Sequence, residues 1–146
     1  MAQTVEQALQ QAKLYTDNIA YSLIHLPPNG IMAAAGVLAQ VGEPFGALIA
    51  DKDEVTLVVP ADMVDEFSNR LREKRVGESD YRLITFDLEL EPTLTGFMAR
   101  VAAALAAANV PILPFAAFSR DHLLIPAEKF DAAWDALKKL GLRTED

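Results

Sequence analysis

Ser119, Asp121 and His122 bring the side-chain types of a hydrolytic triad within four positions of one another. Their spacing does not suit that chemistry. Asp121 and His122 are neighbours on one predicted strand, where successive side chains point to opposite faces. No Gly-x-Ser-x-Gly elbow presents a serine anywhere in the chain. His25 and His122 fall in different halves of the sequence and form no metal-ligand pattern, and the absence of cysteine removes thiolate ligands and thiol nucleophiles together. Asp51-Lys52-Asp53-Glu54 has the composition of a cation loop but lacks the glycine and the terminal glutamate of an EF-hand, and it reads as a solvated hairpin. The glycines of Gly42-Glu43-Pro44-Phe45-Gly46 match neither a dinucleotide nor a P-loop fingerprint. These residues predict no catalytic centre, no metal site and no cofactor.

Composition narrows the remaining classes. The chain has 146 residues, 51% of them apolar, enough to bury a core. Its net charge is −8, spread evenly: residues 1–75 carry 6 basic and 10 acidic groups, residues 76–146 carry 7 and 11. An acidic surface without a basic stripe argues against nucleic acid, whose binding rests on neutralising phosphates. Residues 18–42 and 101–119 contain no Asp, Glu, Lys or Arg, but prolines interrupt both. Each leaves a helix of roughly 12 residues where a membrane span needs about 20. The start of the chain does not resemble a signal peptide. The expectation is a cytoplasmic protein with no membrane association.

The elements that would position any site occur twice. Gly30-Ile31-Met32-Ala33-Ala34-Ala35 and Gly96-Phe97-Met98-Ala99-Arg100-Val101 each open an apolar helix. Leu57-Val58-Val59-Pro60-Ala61-Asp62 and Leu123-Leu124-Ile125-Pro126-Ala127-Glu128 each close a strand on Pro-Ala-acid. Gly30 to Gly96 and Pro60 to Pro126 are both 66 positions apart, the signature of a duplicated supersecondary unit. In the first copy the pattern predicts strands at 21–26, 45–50 and 55–59, a helix over 31–40 ended by Gly42, and a second helix from Pro60 to about Arg75. In the second it predicts strands at 81–86, 112–118 and 122–125, and helices to Ala108 and over 127–140 with Gly141 beyond. Tyr21 and Tyr81 are only 60 apart, so the second copy has six extra residues in its first connection, around 87–92. Thr4-Val5-Glu6-Gln7 is a capping box that opens a helix over about 4–16. The fold class is α+β: two tandem ferredoxin-like βαββα units with antiparallel sheets plus an N-terminal helix. The predicted organisation is an N-terminal helical extension at 1–20, a first unit at 21–76 and a second at 77–146. The last strand of each unit is missing from the pattern, supplied by the 142–144 tail or by the neighbouring copy. The 97–108 helix, apolar nearly all round, is expected to be buried on more than one side.

Strand, glycine-initiated apolar helix, paired strands and Pro-Ala-acid, repeated over about residues 21–141, resembles the tandem ACT-domain proteins. The subgroup it is most similar to is the small two-ACT proteins related to CASTOR-type amino-acid sensors. Their second unit often carries a Ser-Thr-Phe-Asp-Thr-Asp-Tyr stretch. The matching residues here run from Ala116 to Ile125, keeping Phe118 and Asp121 and replacing the Ser-Thr pair by Ala116-Ala117. The resemblance implies a non-enzymatic regulatory protein that binds a small effector, often an amino acid, where paired units meet. It implies ligand contacts from Asn29, Gly30, Ile31, Thr95, Gly96 and Phe97 on the loop side. From the strand side it implies Ala116, Ala117, Phe118, Ser119 and Asp121. A glycine at a strand-to-helix turn admits close backbone approach, a helix start favours a carboxylate, and Asp121 would pair with an ammonium group. The alternative is an interaction module that keeps the fold and has lost its ligand, which the lost hydroxyls favour. Nearly charge-free helices at 31–41 and 97–108 predict a homodimer.

Overall fold

The computed structural model describes residues 2–41 and 43–144. In chain order the regular elements are α1 (Val5–Gln11), β1 (Lys13–Tyr15), β2 (Tyr21–Leu26), α2 (Ile31–Val41), β3 (Ala47–Ala50), β4 (Val55–Pro60), β5 (Arg75–Val76), β6 (Tyr81–Asp87), α3 (Phe97–Ala107), β7 (Leu113–Ala116), β8 (Asp121–Pro126), α4 (Phe130–Lys139) and β9 (Arg143–Thr144). They form two compact units, Ile19–Tyr81 on the one hand and Met1–Asn18 with Arg82–Asp146 on the other.

In the unit at 19–81, β4 lies between β3 and β2, and β5 pairs with the other edge of β2, all antiparallel. That is the strand order of a complete ferredoxin-like unit, with the two-residue β5 in the fourth place. Alternation sends Ile24, Leu26, Val55, Leu57 and Val59 into a core closed by Ala34, Val37 and Leu71. The Asp51–Glu54 hairpin is an Asx turn: Asp51 Oδ1 accepts from the N–H groups of Asp53 (2.8 Å) and Glu54 (3.0 Å). The helix expected after Pro60 does not form. The chain makes two 3₁₀ turns instead, Ala61–Met63 and Ser68–Arg70. Val64, Asp65, Ser68 and Asn69 are weak helix formers, and burial of Leu71 and Val64 holds the tighter path. Gly42, expected to end α2, lies outside the described residues.

The second unit has the same order of elements with one change. β8 lies between β7 and β6, but the strand on the other side of β6 is β1, antiparallel, and β9 pairs parallel with β1 beyond it. The N-terminal segment thus fills the place of the fourth strand, and the 143–144 tail stands one strand further out. The capping box at Thr4 is formed, but α1 stops at Gln11 rather than continuing to 16. Ala12 turns extended, and Leu14 is buried opposite Phe86. Tertiary pairing overrides the helical pattern here. The core joins Ala8, Leu9 and Leu14 to Ile84, Phe86, Phe97, Val101, Leu105, Leu123, Ile125 and Leu137. Phe86 meets Phe97 edge-on, with ring centroids 5.4 Å apart. α3 buries one stripe, Phe97, Val101 and Leu105, while Ala99, Ala103, Ala106 and Ala107 are exposed. Alanine is the best helix former and small enough to leave in water, so its apolarity overstated the burial of this helix.

The duplication is visible in the backbone. Gly30 and Gly96 each directly precede the first helix of their repeat, and Pro60 and Pro126 each end a six-residue strand followed by a 3₁₀ turn. α4 is a full helix where the first unit has turns, because its three alanines and two lysines favour one.

Candidate functional site

A pocket of about 330 Å³ opens on the unit built from the chain ends. Three segments line it: the first turn of α3 from Gly96 to Ala99, the β7–β8 hairpin from Ala116 to Asp121, and Leu90, Glu91, Pro92 and Leu94 of the β6–α3 connection.

The helix start is shaped by Gly96, whose φ of +98° places it in the left-handed region that favours glycine. No side chain caps α3 and no acid occupies its first turn. The partial positive charge of the helix start therefore meets the pocket without a side-chain cap. The hairpin opposite is closed by the Ala117 N–H donating to the Arg120 carbonyl at 2.9 Å. The Arg120 guanidinium is engaged on the protein itself, donating from Nε to Asp87 Oδ1 at 3.0 Å and from Nη1 to Ser119 Oγ at 3.3 Å. Asp121, half-buried, has no Lys or Arg in ion-pair range among the described residues. Partial desolvation raises its pKa above the usual carboxylate value, an effect that neighbouring His122 opposes. Burial also lowers the His122 pKa, with Asp121 raising it and Arg120 adding to the decrease. His122 Nδ1 stands 2.8 Å from Thr85 Oγ1, which engages that ring nitrogen on β6.

Of the residues the resemblance implied, Gly96, Phe97, Ala116, Ala117, Phe118, Ser119 and Asp121 all line this pocket. Thr95 lies one residue outside the lining, with its hydroxyl donating to the Thr93 carbonyl at 3.3 Å. Asn29, Gly30 and Ile31 are not among the lining residues. They stand in the other unit, where the Gly30 N–H closes a turn on the Pro27 carbonyl at 2.8 Å. Leu90, Glu91, Pro92, Leu94, Met98, Ala99 and Arg120 were not anticipated. The signal for the first four was the six-residue excess of the connection, which gave its length but not its position. Among the described residues no group of three or more His, Asp or Glu could hold a metal ion, and no helix is long and apolar enough to cross a membrane.

Residues 76–139 match the ACT domain family. The matched segment holds the whole β6-to-α4 run, with both the helix start and the hairpin of the pocket. Solved structures extend the likeness over nearly the full chain. A protein from Agrobacterium tumefaciens superposes with a TM-score of 0.70 at 22% identity, covering 92% of each chain. The regulatory subunit of aspartate kinase from Thermus flavus gives 0.68 at 17% identity, over 88% of this chain and 96% of its own. The corresponding subunit from Thermus thermophilus, in a ligand-free form, gives 0.66 at 19%, over 90% and 97%. At these identities the common property is the fold: two ACT-like, ferredoxin-type repeats. No curated protein matches the chain.

Proposed function

We propose that this chain is a non-enzymatic, cytoplasmic regulatory protein that senses a free amino acid, in the manner of the CASTOR-type sensors it resembles. The observation that carries the reading is the pairing of an uncapped helix start with a half-buried carboxylate that has no Lys or Arg in ion-pair range among the described residues, across one small pocket. A carboxylate suits the first and an ammonium group suits the second. The ACT match and the regulatory subunits among the structural neighbours support a binding role over a catalytic one.

A melting screen of the full chain tests it. At 100 times its dissociation constant, a bound amino acid adds about 2.7 kcal/mol to stability, a shift of several degrees. 4-Methylpentanoic acid, which lacks the ammonium, and isoamylamine, which lacks the carboxylate, are expected to give none at the same concentration. No shift with any amino acid would favour the interaction module, for which the alanines at 116 and 117 speak.

The same proposal includes a homodimer. α2 has no charged residue, and Ile31 and Met32 on it are 40% and 82% exposed. Light scattering after gel filtration is expected to give twice the chain mass of 15.9 kDa, and a stable species at the chain mass would contradict it.

A further inference from the structure

The β6–α3 connection supplies a wall that the first repeat has no residues to build. It brings Leu90, Pro92 and Leu94 to the pocket, and it is tied down at several points. The Leu90 N–H donates to the Ser119 carbonyl at 2.7 Å. Gln3 grips the next turn three ways: its backbone N–H donates to Glu91 Oε2 (3.0 Å), its Nε2 to the Glu89 carbonyl (3.2 Å), and its Oε1 accepts from the Glu91 N–H (3.0 Å). A wall fixed before binding costs little ordering when a ligand arrives. On the hairpin side, Phe118 lines the same pocket while being 102% exposed. One exposed apolar residue alone means little. Here it stands on a pocket whose other wall carries Leu90, Pro92 and Leu94 beside Glu91.

The charges leave little choice for the ligand. The charged lining residues are Glu91, Arg120 and Asp121. Glu91 accepts from Gln3, and Arg120 is held by Asp87 and Ser119. Asp121 is the half-buried acid with no Lys or Arg in ion-pair range among the described residues, and the α-ammonium group takes it. Resting on the amino-acid reading above, we infer that the effector carries an apolar side chain of at least four heavy atoms, of the leucine, methionine or norleucine kind. That side chain lies between the Leu90–Leu94 wall and Phe118, which closes over it.

Norleucine and lysine differ by one terminal ammonium, so the pair isolates the inference. Calorimetry on the full chain is expected to show L-norleucine binding at least about tenfold tighter than L-lysine, because an ammonium laid against Leu90, Pro92 and Leu94 loses hydration that an apolar chain end never had. Phe118→Ala is expected to weaken norleucine by about tenfold and leave L-alanine, too short to reach the wall, unchanged. Phe118 is fully exposed, so the variant should fold, and its far-UV circular dichroism should equal that of the wild type. Lysine, arginine or glutamate binding as tightly as norleucine would overturn the apolar class and leave the amino-acid reading standing. Unchanged norleucine affinity in Phe118→Ala would overturn the closing role of Phe118. Binding of no amino acid at all would remove both readings together.

Discussion

Leu14→Ala is expected to destabilise the protein by about 2–5 kcal/mol, the cost of a cavity in a packed core. Residue 14 lies on a three-residue strand near the start of the chain, where a change of this size would not ordinarily be looked for. The structure makes it a core position. Leu14 is 1% exposed and pairs across the sheet with Phe86, itself 0% exposed and packed edge-on against Phe97. β1 also closes the open side of β6 and carries β9 on its own far edge, so two strand pairings depend on it. Urea denaturation checks the figure. Lys13→Ala is the control: Lys13 is exposed on the same strand, and its loss is expected to cost less than about 0.5 kcal/mol. Equal, small effects at the two positions would mean that the N-terminal segment is an appendage and not a strand of the sheet.

The contrast between β1 and the repeats shows what one sequence makes legible. The repeats were readable because their markers are local and occur twice. A glycine before an apolar helix and a proline ending a strand need no knowledge of distant residues, and the 66-residue offset ties the copies together. β1 was not readable. Val5, Leu9 and Ala12 recur at helical spacing and are indeed on the buried side, but the partner that turns Leu14 into a strand residue lies at Phe86. The stretch after Pro60 failed for the opposite reason: its apolar spacing suits a helix, while its Asp, Ser and Asn content favours turns. At the site, the α3 start and the hairpin were placed by the resemblance to a known pattern. The wall at Leu90–Leu94 and its clasp by Gln3 depend on hydrogen bonds between residues 3 and 89–91, which no local pattern reports.

Asp121→Asn is expected to weaken binding of the amino acid by about tenfold. A charge-assisted hydrogen bond is worth roughly 1.5–3 kcal/mol, and the low end applies because Asp121 is only half-buried and partly screened by solvent. The substitution keeps size and hydrogen-bonding reach, so it isolates the charge. Its effect on the free protein should have the opposite sign. Partial burial raises the Asp121 pKa, so the ionised carboxylate is disfavoured by folding. That cost is absent below the unfolded pKa and fully present once pH exceeds the folded one. At neutral pH the asparagine variant should therefore be no less stable than the wild type while binding more weakly. A ligand ammonium group stabilises the carboxylate and draws its pKa down. Wild-type affinity is thus full at neutral pH and falls as pH drops through the raised pKa of the free protein, while the variant keeps only the dependence that neighbouring His122 contributes. Titration calorimetry with L-norleucine, on both proteins from neutral to acidic pH, is the most direct test of the zwitterion site. The zwitterion site requires the tenfold loss and a flatter pH profile together. Equal affinities with equal pH profiles, or no heat of binding in either protein, would contradict it.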